Sequence, residues 1–299
     1  MANQETRVSV IGLGNMGGHM AGRLLAAGFA VQGYDRDRDH AQGLIDAGLE
    51  WRESPRAGAD GAEFVLTSLP DDGVLEHVAT EEDGLLAGLA QNAIWIDLST
   101  VSPKVSREIA EKVAAQGPKM LDAPVSGSVP QVESGTLTIM VGGDEDAFRR
   151  AEPVLRALGT PTYIGGNGQG LALKLAINIS LALQMEAFAE GLLLATRSGV
   201  EPRRALEVME SSPIGSEMLK ARSSLILEPP ESAWFTLAFM HKDIELALDT
   251  GRHLEVPLPT TERVDEVLER ALALGHERDD LAAIYQVLGE IADGKRVPA

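Results

Sequence analysis

A chain of 299 residues that is 44% hydrophobic can bury a sizeable core and is long enough for two domains. Its 26 Lys and Arg stand against 45 Asp and Glu, a formal net charge of −19, and such a surface repels phosphate backbones and argues against a nucleic-acid partner. With no cysteine, disulfides, thiolate metal sites and thiol nucleophiles are excluded, so any redox chemistry has to come from a bound cofactor.

The opening Met1-Ala2-Asn3-Gln4-Glu5-Thr6 lacks the basic and apolar regions of a signal peptide, and a cytoplasmic location is expected. The first element is a strand, Arg7 to Ile11, followed by a helix over Met16 to Ala27. Between them Gly12-Leu13-Gly14-Asn15-Met16-Gly17 reads GxGxxG. Position gives this pattern its meaning, because it leaves a strand and opens a helix, where a dinucleotide fingerprint belongs. Gly12 serves the tight turn, Gly14 admits a pyrophosphate to the backbone N–H groups, and Gly17 lets helix pack closely on strand. The residues alone also allow a plain glycine turn. A second strand, Ala30 to Tyr34, ends at Asp35, placed to meet the adenosine ribose, and a carboxylate there favours NAD over NADP. Arg36 and Arg38 follow and keep NADP open, since a guanidinium can pair with a 2′-phosphate.

The alternation continues with a helix over Asp37 to Ala47, a strand over Glu63 to Ser68, a helix over Asp71 to Val78, a strand over Ala93 to Asp97, a helix over Ser102 to Ala115 and a strand over Lys119 to Asp122. Strand and helix in this rhythm predict an α/β fold, a doubly wound parallel sheet of the Rossmann type. The stretch Asp122-Ala123-Pro124-Val125-Ser126-Gly127-Ser128 leaves a strand end, where open α/β sheets place ligand loops. Ser126 Oγ and the N–H groups around Gly127 suit a carboxylate, although an ordinary Ser/Gly turn reads the same way.

After Thr162-Tyr163-Ile164 a Gly-rich segment, Gly165 to Gly170, leads into helical patterns with little sign of strands. Helices are expected over Leu171 to Ser198, Pro202 to Glu210, Met218 to Leu225, Leu237 to Leu254, Pro259 to Leu274 and Leu281 to Ala292. The expected domains are therefore a dinucleotide-binding domain over 1–163 and an all-α domain over 164–299. Gly170 to Ala195 is apolar enough to mimic a membrane span, but Lys174, Asn178, Gln184, Glu186 and Glu190 interrupt it, and a helix buried in protein is expected instead. Lys174 and Asn178 lie four apart, on one face of this apolar helix. A desolvated amine there is tuned toward proton transfer, while a lysine snorkelling to water is the structural alternative.

Four separated stretches together resemble the β-hydroxyacid dehydrogenase family: VSVIGLGNMG, DAPVSGS with SGTLTIMVGG after it, GQGLALKLAIN, and FTLAFMHKDIELALD. The resemblance runs from about Arg7 to about Asp280 in family order. It implies a 6-phosphogluconate dehydrogenase-like C-terminal domain and oxidation of a short β-hydroxyacid, such as 3-hydroxyisobutyrate, or reduction of its semialdehyde. It further implies that Lys174 is the catalytic acid/base, that Asn178 orients the substrate and that Ser126 and Gly127 bind its carboxylate. Lys242 then lies near the nicotinamide with Asp243 beside it, Ser68-Leu69-Pro70 and Ser99-Thr100 line the cofactor, and Thr100 approaches the nicotinamide. Gly12, Gly14, Asn15, Met16, Gly17, Asp35 and Arg36 complete the cofactor set.

No metal is expected, because the six histidines show no ligand spacing, and His241 reads as a solvated neighbour of Lys242. Where relatives have a second glycine and small residues, this chain has Ser128-Val129-Pro130-Gln131-Val132, and Gln131 and Val132 are expected to reshape the substrate mouth. An imine or uncharged-carbonyl reductase is the competing enzymatic reading, against which Lys174 speaks; a dinucleotide-binding module without turnover is the third. The expected partners are a small carboxylate-bearing substrate and further copies of the chain in a homodimer or homotetramer, with no membrane contact.

Overall fold

The computed structural model describes residues 6–294, and the polar opening, Met1 to Glu5, lies outside the described residues. The chain divides into two compact units, Met1–Lys174 and Leu175–Ala299.

The first unit runs β1 (Arg7–Ile11), α1 (Asn15–Ala26), β2 (Ala30–Tyr34), α2 (Gln42–Asp46), β3 (Glu50–Trp51), α3 (Pro55–Ala59), β4 (Phe64–Thr67) and α4 (Asp72–Thr80). It continues through β5 (Ile94–Asp97), α5 (Pro103–Ala114), β6 (Lys119–Asp122), β7 (Val125–Ser126), α6 (Val129–Ser134), β8 (Leu137–Gly143), α7 (Glu145–Leu158) and β9 (Gly159–Gly165). The strands form one sheet in the order β3-β2-β1-β4-β5-β6-β8-β7, with β9 paired to β8. Order reverses between β1 and β4, so the ends of these two strands flank the crevice where open α/β sheets bind ligands.

Side chains alternate across this sheet. Val8, Val10, Phe64, Leu66, Ile94 and Ile96 enter one core, and Ile11, Val65 and Trp95 enter the other. Both faces are thus covered, which explains strands that read as continuous apolar runs. The sheet departs from the expected all-parallel arrangement at its far end: β8 runs antiparallel to β6 and to β7, while β9 returns parallel to β8. Pro161 is accommodated because β9 is an edge strand, where a missing N–H leaves no ladder bond broken.

Helix α8 (Gln169–Arg197) carries the division between the units, which falls later than the 163/164 boundary expected from the Gly-rich segment. The cause is Asp122 at the end of β6. Its Oδ1 accepts from Gly168 N at 2.7 Å and its Oδ2 from Leu171 N at 3.0 Å, and Leu171 is buried in the core of the first unit.

The second unit comprises the rest of α8 with α9 (Pro202–Ser211), α10 (Glu217–Leu227), α11 (Leu237–His253), α12 (Pro259–Ala273) and α13 (Ile284–Ala292). Met185, Phe188, Leu192, Met240, Ile244, Leu268, Ile284 and Val287 form its core. Arg222 and Asp280 make a buried ion pair at 2.8 Å, and Asp280 also accepts from Trp234 N and Phe235 N, so both charges are satisfied. By length and composition α8 is apolar enough to cross a membrane; Ala182, Met185, Phe188, Ala189 and Leu192 instead supply one wall of this core.

Candidate active site

Glycine shapes the start of α1 for steric reasons. Gly12 has φ +89°, and a Cβ there would lie 2.4 Å from Ser68 O. A Cβ on Gly17 would lie 1.9 Å from Gly12 O, so helix and strand come together only without side chains. Gly14 differs: a Cβ there meets nothing within 4 Å, and the open side of this residue is the approach to the helix N-terminus. No side chain caps α1 and its first turn holds no acid, so the first N–H groups, with Asn15 and Met16 among their owners, are left to an anion. These residues fit the pyrophosphate of a dinucleotide.

Asp35 does more than wait for a ribose. Its Oδ2 accepts from Leu13 N at 2.7 Å, its Oδ1 accepts from Asp37 N at 2.8 Å, and the His40 ring lies 3.3 Å from Oδ1. The carboxylate therefore ties the end of β2 to the glycine loop. Arg36 is exposed beside it, while Arg38 stacks over the Trp51 ring, its guanidinium carbon 5.4 Å from the centroid.

The two expected cofactor loops are held by a buried network that sequence reasoning missed. Thr67 Oγ1 donates to Asp97 Oδ1 at 2.7 Å and accepts from Trp95 Nε1 at 2.9 Å. Ser99 Oγ donates to the same Asp97 oxygen at 2.6 Å and accepts from Leu69 N at 2.9 Å. Burial pushes the Asp97 carboxyl up, against the hydrogen bonds from Ser99 and Thr67. The network fixes Leu69 and Pro70 after β4 against Ser99 and Thr100 after β5. An aspartate closing the apolar run Ile94-Trp95-Ile96 was the available signal.

In the expected substrate loop Ser126 is half-buried at the end of β7 and Gly127 is exposed. Gly127 has φ +132°, and a Cβ there would lie 2.8 Å from the Leu137 side chain, so glycine alone suits the position. Val132 does not reshape a substrate mouth as expected: it is fully buried, because the short α6 turns it into the core. Gln131 folds back instead, its Oε1 accepting from Ser128 N at 2.9 Å, and so braces the loop as a helix cap. Burial lifts the Asp122 carboxyl at the start of this motif to about 6, although the N–H groups of Gly168 and Leu171 pull it down.

On α8, Lys174 is only 9% exposed and Asn178, one turn later, is fully buried. The apolar helix thus brings an amine and an amide together on one buried stripe. Asn178 Nδ2 donates to Asp243 Oδ2 at 2.6 Å, while its Oδ1 accepts no hydrogen bond among the described residues. Lys242 Nζ lies 2.8 Å from Asp243 Oδ1. Asp243, 2% exposed, therefore grips both Asn178 and Lys242 and is the main residue the sequence reading undervalued. It stands among Met240, Ile244 and Ala247 in the buried stripe of α11, where a carboxylate is costly without partners. His241 is not solvated as expected, its side chain being 15% exposed between Glu245 and Asp265.

Comparison with known proteins gives two family matches that meet in the Gly-rich segment before α8. Residues 7–166 match the model of the NAD binding domain of 6-phosphogluconate dehydrogenase, and residues 168–288 match the NAD-binding region of NADP-dependent 3-hydroxyisobutyrate dehydrogenase. The chain is 33% identical to the 2-(hydroxymethyl)glutarate dehydrogenase of Eubacterium barkeri over 95% of each chain. It is 36% identical to the 3-hydroxyisobutyrate dehydrogenase of Pseudomonas aeruginosa over 85% of this chain and 88% of the relative. Among solved structures, the 3-hydroxyisobutyrate dehydrogenase of Mycobacterium tuberculosis with L-serine superposes with a TM-score of 0.84 at 30% identity, covering 95% of this chain and 99% of the other.

Proposed function

The chain belongs to the β-hydroxyacid dehydrogenase family, an NAD(P)-dependent group of hydroxyacid oxidoreductases, and on that premise we propose that Lys174 is the residue that exchanges the substrate proton. The observation that carries this reading is a nearly buried lysine one turn from Asn178, whose buried Oδ1 still has an accepting position to offer. When bound, the nicotinamide accepts or supplies the hydride. In oxidation the Lys174 amine takes the hydroxyl proton of a short β-hydroxyacid; in reduction its ammonium polarises the semialdehyde oxygen and returns the proton. Asn178 orients the reacting carbinol through Oδ1, and Ser126 with the N–H groups at Gly127 receives the carboxylate. Proton exchanger and hydride carrier complete the reaction, so the proposed chemistry routes no step through a metal.

Gly12, Gly14, Asn15, Met16 and Gly17 hold the pyrophosphate, Leu69, Pro70 and Thr100 line the nicotinamide side, and Lys242 is kept in place by Asp243. NAD is the proposed preference, because the Asp35 carboxylate repels a 2′-phosphate, while the exposed Arg36 is too free to override it. The cysteine-free composition suits a reducing compartment, and a cytoplasmic, homo-oligomeric enzyme working on small anions completes the proposal.

A panel of short β-hydroxyacids assayed with NAD and NADP, each beside its methyl ester and amide, tests the reading. Turnover of the free acids with NAD preferred, falling at least tenfold on esterification, is the expected result. Equal turnover of acids and esters would assign the chain to reduction of uncharged carbonyls or imines instead.

A further inference from the structure

Helices α11 and α12 pack against each other and carry a cluster that the dehydrogenase chemistry does not use. His241 comes from the start of α11, and Asp265 and Glu269, four residues apart on one face of α12, come from the other helix. One ligand atom of each lies within 4.8 Å of the other two. His241 Nε2 and Asp265 Oδ1 are 3.5 Å apart, both are shielded from solvent, and neither makes a hydrogen bond among the described residues. Two atoms bound to a tetrahedral zinc ion at about 2.1 Å are separated by about 3.4 Å, so the gap between them is one that such an ion can span. The second ring nitrogen completes the pattern. His241 Nδ1 lies 3.6 Å from Glu245 Oε2, so a carboxylate stands behind the ring, where one commonly supports a ligating imidazole.

We propose that His241, Asp265 and Glu269 bind a divalent transition-metal ion of the zinc class, with Glu245 as the carboxylate behind the histidine and an exchangeable water in the fourth position. One imidazole with two carboxylates is a donor set that such ions accept. Charge favours occupation too: Asp265, Glu269 and, behind the histidine, Glu245 place three mutually repelling carboxylates around the cluster. A dication among three carboxylates relieves that repulsion. The ion would fasten α11 to α12 one residue before Lys242, which makes it a structural clamp on the helix carrying Asp243, separate from proton and hydride transfer.

The test is titration of the chelator-stripped full chain with zinc chloride by calorimetry, with thermal unfolding of every variant as a check of folding. One site per chain is expected, weakened at least a hundredfold by His241→Ala and at least tenfold by Asp265→Asn, Glu269→Gln or Glu245→Gln. X-ray absorption at the zinc edge should show one imidazole and carboxylate oxygens at about 2.0–2.2 Å, a measurement on the wild-type chain that does not depend on any variant folding. No stoichiometric binding to the wild type, an oxygen-only shell, or unchanged affinity in a folded His241→Ala protein would each overturn the site and leave His241 as an ion-paired histidine.

Discussion

Single residues divide cleanly into those that make the fold and those that leave room for a ligand. A Cβ at Gly17 would collide with Gly12 O at 1.9 Å, so Gly17→Ala should cost about 1–3 kcal/mol of stability in a denaturant titration. Gly14→Ala has open space and a φ of −66°, so its unfolding midpoint should stay at the wild-type value. Its methyl group would occupy the approach to the α1 N–H groups, and NADH binding by fluorescence should weaken at least tenfold. Loss of stability without loss of binding would show that the loop is merely structural. Asp243→Asn keeps a hydrogen-bond partner for Asn178 but removes the charge beside Lys242, and kcat/KM should fall about tenfold or more with the fold intact. Lys174, Asn178, Ser126 and the glycines could be singled out from a spacing or a strand end, but the roles expected of Lys174, Asn178 and Ser126 came only with the family resemblance. Asp97 and Asp243 were harder to weigh, because the partners that justify a buried carboxylate come from distant parts of the sequence.

Among the elements, α8 shows how a long apolar helix tolerates polar groups. Glu186 is 7% exposed, and neither of its carboxylate oxygens makes a hydrogen bond among the described residues. Burial, reinforced by Glu190, raises its carboxyl from the ordinary 4.5 to about 7. The folded chain thus holds a proton that the unfolded chain releases between these values, so the stability contributed by the protonated form is complete below about 4.5 and is lost as pH rises through about 7. Glu186→Gln should match the wild type at pH 4 and exceed it by about 3 kcal/mol at pH 8 in urea unfolding, on the order of the displaced carboxyl's cost. A constant difference across that range would contradict the assignment. The α8 helix was legible, within two residues at each end, from its apolar run; β7 to β9 with α6 and α7 were not resolved as elements. Pro153 lies inside α7 and Pro161 in β9, residues that weaken a local helix or strand pattern, and the edge position of β9 accommodates the latter.

Taken as a molecule, the chain combines a formal charge of −19 with uncovered apolar side chains on its helical unit. Leu194 is 72% exposed, and Val208 and Ile214 are each 62% exposed, so water contacts large side chains that a second copy can cover. Sedimentation at micromolar concentration should give a dimer or tetramer, and Leu194→Glu should shift it toward monomer; a monomeric wild type would contradict self-association. The two-part organisation was visible in the Gly-rich run from Gly165 to Gly170. The division itself was displaced to Lys174, because Asp122 reaches from β6 to cap the first turn of α8, a contact that no local pattern announces.

Steady-state turnover of Lys174→Ala and Lys174→Arg, measured beside NADH affinity, tests the proton-exchange role most directly. Alanine should lower kcat by about a hundredfold or more, and arginine should not restore it, since a guanidinium keeps the charge but does not release a proton near neutral pH. NADH affinity should be unchanged in both. Turnover within a few-fold of wild type in the alanine variant, or recovery by arginine, would show that Lys174 contributes charge or packing and that another group handles the proton.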